Sequence, residues 1–113
     1  MLSLKQCLRD IANFVDISVG VQQGHLKVGQ LLIQWGHVTS HQTAQRVTTE
    51  YYFPMTYSQN PVVFGQCLDP TVYPELFNVT VYNVTVTKFT MGFVCNHSTL
   101  NNIKAVWIAI GKA

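Results

Sequence analysis

The apolar positions of this chain change period near residue 17. Over residues 1–16, Met1, Leu4, Leu8, Ile11 and Val15 recur at spacings of 3, 4, 3 and 4, the a/d seam of a heptad repeat. Lys5, Gln6, Arg9, Asp10 and Asn13 fill the intervening positions. The spacing predicts a short, coiled-coil-like N-terminal α-helix with these five residues as an oligomerisation seam. Two alternatives stay open: the helix packs on its own domain, or it joins a parallel coiled coil between subunits. Two heptads are marginal by themselves, so such a coil needs the following domain to hold the chains together. The mixture of Leu, Ile and Val along the seam leaves the number of strands in the coil undetermined. Residues 17–24 are expected to form a linker or a short extended segment, punctuated by Gly20 and Gly24.

From residue 25 onward the period is two. Leu31, Ile33, Trp35 and His37 share one face of a strand, and Leu32, Gln34 and Val38 share the other. Further strands are expected over 44–53, over 61–67 and at 104–111, where Val106-Trp107-Ile108-Ala109-Ile110-Gly111 closes the chain. Pro61 stands where a first-of-strand residue tolerates proline. Between 77 and 95 the alternation slips phase: Val79 and Val81 are odd, Val84 and Val86 even, and Phe89, Met91 and Phe93 odd again. Each slip moves the apolar set to the other face unless a turn or bulge intervenes. A turn is expected near Tyr82-Asn83 and a break near Thr87-Lys88, with Val84–Thr90 as a Thr-rich strand. Residues 68–76, with two prolines, and 96–103, rich in Asn, are expected loops. Six or seven short strands at this spacing predict an all-β fold, a small antiparallel β-sandwich over residues 25–113.

Composition narrows the possibilities. The 113 residues suffice for one domain, with 48% apolar and only 11% charged residues, against a typical quarter charged. So little charge argues against disorder and fits a surface partly covered by other chains. The net charge of +2 comes from scattered basic residues, which is no footprint for nucleic acid. No stretch approaches the apolar length of a membrane span. The N-terminus lacks the features of a signal peptide, since Asp10 and Asp16 interrupt its apolar positions. The three cysteines, Cys7, Cys67 and Cys95, are widely spaced and read as reduced core residues, with a Cys67–Cys95 pair as the alternative. Three sequons begin at Asn78, Asn83 and Asn96, matches that arise easily in Thr-rich sequence.

No catalytic cluster accompanies these elements. Asp69 and Glu75 could in principle form a glycosidase-like pair, but both belong to one loop and are expected to solvate it. His37 and His41 are four apart in a segment that reads as a strand end and turn, where that spacing does not converge the rings. The chain is therefore expected to be no enzyme and to hold no metal or cofactor. Tyr73 and Asp69 in one long loop, and Asn96, His97 and Asn101 in the other, offer a stacking ring and hydrogen-bonding partners of the kind sugars need. Trp107, between Ala105 and Ala109, is expected in the core.

Residues 25–113 resemble the C-terminal tip domain of bacteriophage tail fibres. The stretches that carry the resemblance are Gly29-Gln30-Leu31-Leu32-Ile33-Gln34-Trp35-Gly36, Thr49-Glu50-Tyr51-Tyr52-Phe53-Pro54, Pro61-Val62-Val63, Val84-Thr85-Val86-Thr87-Lys88-Phe89-Thr90 and Trp107-Ile108-Ala109-Ile110-Gly111. The profile is also similar to the H-type lectins, whose sandwiches form trimers and bind sugars. The resemblance implies a homotrimer at a virion tail tip, made in the bacterial host cytoplasm, touching other tail proteins and recognising a host-surface glycan or receptor. Aligning Phe89 and Phe93 with the lectin strand puts Asn96 at the sugar-holding aromatic and Ser98 at an acidic position. Met1 stands directly before the helix, as in a short complete protein or a trimmed piece of a longer fibre. The alternatives are a purely structural trimeric cap or decoration protein, and a cellular H-type-like lectin.

Overall fold

A computed structural model describes residues 15–18, 23–41, 44–68, 77–95 and 102–113. Among these residues the chain is all β, with eight strands: β1 (Val15–Ser18), β2 (Gln23–Val28), β3 (Leu31–Ser40), β4 (Arg46–Tyr52), β5 (Val62–Leu68), β6 (Phe77–Tyr82), β7 (Lys88–Cys95) and β8 (Ile103–Lys112). They form a five-stranded sheet, β1-β2-β3-β8-β5, and a three-stranded sheet, β4-β7-β6. All neighbours run antiparallel. The switch of apolar period at the start of the domain is thus a switch into a two-sheet β fold.

One expectation at the N-terminal side is corrected. Val15 and Asp16, expected to close a helix, pair with Val28 and Lys27 as the first strand. Ile17, Ser18, Gln23 and Gly24, in the stretch expected as a linker or a short extended segment, are extended and belong to β1 and β2. β-branched Val and Ile in a four-residue run suit a strand, and the partner β2 supplies the hydrogen bonds that make it one. The remainder of the expected helix, residues 1–14, lies outside the described residues, as do Met1, Leu4, Leu8 and Ile11 of its seam.

The core lies between the sheets. Leu32 of β3 and Ala105, Trp107 and Ala109 of β8 face Phe89, Met91 and Phe93 of β7, with Phe53 and Tyr57 closing one end. The rings of Phe89 and Trp107 sit 5.2 Å apart at 57°, and Phe53 meets Tyr57 edge-on at 5.1 Å, both favourable aromatic geometries. Trp107 is core, as its flanking alanines imply: they keep β8 thin enough for the opposite sheet to approach. Its indole lies over Gly36, its register partner on β3. A Cβ on Gly36 would collide with Trp107 Nε1 and come within 2.7 Å of Cε2.

The connection 53–61 crosses the end of this core and is held by a buried glutamine. Gln34 is fully buried. Its Nε2 donates to the Met55 carbonyl at 2.9 Å and its Oε1 accepts from the Met55 amide at 2.9 Å. The Tyr57 hydroxyl donates to the Ala109 carbonyl at 3.0 Å. A polar residue on the buried face of β3 is therefore satisfied by backbone that would otherwise have no partner.

The Thr-rich segment is shorter as a strand than expected. Val84–Thr87 belongs to the turn between β6 and β7, not to a strand. Asn83 adopts φ 51°, a left-handed conformation that Asn tolerates. The Thr85 Oγ1 accepts from the Thr87 amide at 3.3 Å and the Lys88 amide at 3.1 Å, a local side-chain turn that competes with pairing. Val84 and Val86 pack against the core from within this turn, which gives a loop the apolar alternation of a strand. The breaks expected near residues 82–83 and 87–88 fall at its two ends. The last residue is tied to the turn before β3: the Ala113 amide donates to the Gln30 carbonyl at 2.7 Å. Cys67 is a free, half-buried thiol, packed against the core, and desolvation raises its pKa.

Candidate functional site: one loop end and two unlike outer faces

The strand register puts the two expected binding loops at one end of the sandwich. Leu68, the last residue of β5, pairs with Lys104 at the start of β8. Phe77, the first of β6, pairs with Cys95 at the end of β7. Segments 69–76 and 96–102 therefore leave from the same edge of the two sheets. A third connection, 41–45, leaves there too, because Ser40 pairs with Ile103 and Arg46 with Val94. Asp69, Tyr73, Asn96, His97 and Asn101 themselves lie outside the described residues, but the strands that carry them are in place.

One contact joins two of these connections. His41 Nδ1 lies 3.0 Å from Asn102 Oδ1, so the ring nitrogen carries the proton and donates. Both residues are exposed. Their meeting was not legible in the sequence, because it depends on β3 and β8 being neighbours. His37 instead projects from the outer face of β3. Among the described residues no group of three His, Cys, Asp or Glu side chains could hold a metal ion.

The opposite end of the sandwich carries the Gly29-Gln30 turn, connections 53–61 and 83–87, and Ala113. The chain enters β1 there as well, since Val15 pairs with Val28 next to that turn. Entry point and loop cluster are thus at opposite ends.

The outer face of the three-stranded sheet is polar. Its cross-strand rows are Arg46, Val94 and Asn78; Thr48, Gly92 and Thr80; Glu50, Thr90 and Tyr82; and Tyr52 with Lys88. Lys88 Nζ is 3.4 Å from both Glu50 oxygens and 5.7 Å from the Tyr52 ring centroid. Screening leaves such an exposed pair worth little, but the row stays well solvated.

The outer face of the five-stranded sheet is the reverse. One row runs Val62, Ile110, Ile33, Leu26 and Ile17 across all five strands; the next runs Phe64, Ile108, Trp35 and Gly24. Phe64 is 58% exposed, Val62 57% and Ile108 39%. Trp35 lies over Gly24, where a Cβ would meet the indole at 2.5 Å. Beside it a hollow of about 420 Å³ opens between Trp35, Phe64, Gln66, Val106 and Ile108.

An antiparallel sandwich with a cluster of loops at one end defines a rigid β scaffold for presenting loops. Residues 26–112 match the family model described as tail fiber protein gp53-like, C-terminal, and the chain belongs to that family of tail fibre C-terminal domains. Solved structures share the fold. An N-truncated R1-type pyocin tail fibre superposes with a TM-score of 0.71 at 16% identity, covering 98% of both chains. A C-terminal fragment of the Pseudomonas aeruginosa R1 pyocin fibre gives 0.69 at 17% identity, over 98% of this chain and 32% of that one. The corresponding R2 fibre fragment gives 0.67 at 17% identity, over 98% of this chain and 30% of that one. No curated protein matches the chain. The family makes it a component of a phage-type tail assembly.

Proposed function

We propose that this chain is a receptor-binding tip of a tail fibre, working as a homotrimer, with the loops 68–76 and 96–102 contacting a glycan or other receptor on the host surface. The observation that carries the reading is the common origin of both loops at the end opposite the entry of the chain into β1. A shaft arriving at Val15 would leave these loops at its far end, where a host is met first. Loops on a rigid scaffold are where recognition concentrates. Tyr73 is the proposed stacking residue, and Asp69, Asn96, His97 and Asn101 the hydrogen-bonding partners. Single exposed sugars bind weakly, so three copies on one tip supply the avidity. The module is a binder, not an enzyme; it is made in the bacterial cytoplasm and assembles with other tail proteins.

The test is competition for host cells. Tyr73→Ala and Asn96→Ala are expected to leave the circular dichroism spectrum and assembly unchanged and to abolish competition with the phage for adsorption. Full competition by both variants would refute the site assignment and favour a structural cap that binds nothing specific.

A further inference from the structure

We infer that the outer face of the five-stranded sheet is the surface by which copies of this chain pack together, with Phe64, Ile108 and Trp35 at its centre. The inference rests on the homotrimer reading and moves the main contact from the N-terminal seam to the sandwich itself. Two adjacent cross-strand rows on this face hold only apolar side chains and a glycine. Phe64 alone is 58% exposed. Five strands at about 4.8 Å spacing, over the six-residue rise from Leu31 to His37, give a footprint of roughly 500 Å² before side-chain relief is counted. A soluble monomer rarely exposes that much contiguous apolar surface without a use for it. The area approaches the roughly 800 Å² per partner of a stable interface.

The charge pattern selects the occupant. A surface that meets a copy of itself must carry no cluster of like charge, because both sides bring the same sign. Lys104 and Lys112 stand in the terminal rows of this face, and no charged residue lies in the rows between them. A partner of different sequence selected by charge would need a charged cluster to answer, and the rows between Lys104 and Lys112 hold none. The hollow of about 420 Å³ beside Phe64 is large enough for an aromatic side chain from the next copy. The polar face bearing Glu50, Lys88, Tyr52 and Tyr82 is then the one turned to solvent, where the charged Glu50 and Lys88 keep their hydration.

The full chain is to be compared by sedimentation velocity with Phe64→Asp, Ile108→Asp, Leu8→Asp and, on the opposite face, Tyr52→Asp. The wild type is expected to be a trimer at micromolar concentration. Phe64→Asp and Ile108→Asp are expected to weaken it on the order of 100-fold or more, since each buries an unpartnered carboxylate, while Tyr52→Asp leaves it intact. Hydroxyl-radical footprinting of the wild type provides a reading that needs no variant to fold: Phe64 should react at least tenfold more slowly than Tyr52. A wild-type trimer that Phe64→Asp does not weaken, or equal reactivity at Phe64 and Tyr52 in that trimer, overturns this interface and leaves the trimer reading standing. Dissociation by Leu8→Asp alone returns the contact to the N-terminal seam. A wild type that is monomeric at micromolar concentration overturns both, and the face then belongs to a different tail protein.

Discussion

Replacing Gln34 by alanine removes both hydrogen bonds that hold Met55, each 2.9 Å long. The Met55 amide and carbonyl are half-buried, so each loses about 1 kcal/mol, the low end for an orphaned group. The truncation also leaves a void where a fully buried side chain stood. One fewer methylene and an unfilled carboxamide site add about 1–2 kcal/mol. The expected cost is therefore about 3–4 kcal/mol, a large share of the 5–15 kcal/mol that holds a typical domain together. At this chain length it corresponds to a fall in Tm of roughly 10–20 °C, measured by thermal and urea melts at one fixed protein concentration. Gln34→Glu sharpens the test because it keeps the shape. Its carboxyl can accept from the Met55 amide in either state but can donate to the Met55 carbonyl only when protonated. Burial raises the folded-state pKa of the introduced group above its unfolded value of about 4.3. Stability is then near wild type below about pH 4 and is lost as pH rises through the folded-state pKa. An alanine variant within 1 kcal/mol of wild type, or a glutamate variant whose stability relative to wild type does not change with pH, would refute the clamp.

Two further changes probe the packing of β8. Gly36→Ala places a Cβ 2.7 Å from Trp107 Cε2 and 2.9 Å from Cζ2, so it should destabilise by at least about 3 kcal/mol and blue- or red-shift the Trp107 emission; a neutral variant would show that the indole has room to move. Tyr57→Phe removes one hydrogen bond to Ala109 and should cost about 1 kcal/mol at neutral pH by urea melt. Desolvation raises the pKa of Tyr57 above 10.0, outweighing its hydrogen bonds with Gln34. Its contribution is therefore fully present below about pH 10 and lost as pH rises through the folded-state value. The wild type should lose stability in that range and Tyr57→Phe should lose less, Tyr51 accounting for part of the remaining loss because desolvation raises it as well.

The period-two pattern from residue 25, the phase slips around 82 and 87 and the alanines beside Trp107 were enough to specify an antiparallel sandwich with a core tryptophan. These are local signals, set by side-chain alternation and by the room each residue takes. The resemblance to tail fibre tips was legible for the same reason: it rides on strand segments whose order survives at low identity. What the sequence did not decide was which side of each strand is inside. On β3 the more apolar set, Leu31, Ile33 and Trp35, faces out, and the side with Gln34 faces the core, because Met55 waits there with an unpaired backbone. β8 is the exception: both its sides are apolar, yet the alanines beside Trp107 marked the side that β7 covers. Val84 and Val86 read as a strand and are a turn, since Thr85 satisfies the backbone locally. The departure of connections 41–45, 69–76 and 96–102 from one end, and the placing of Phe64 beside Ile108 on one outer face, follow from strand order. Strand order is set by long-range pairing, and residues tens of positions apart carry no mark of it until the chain closes on itself.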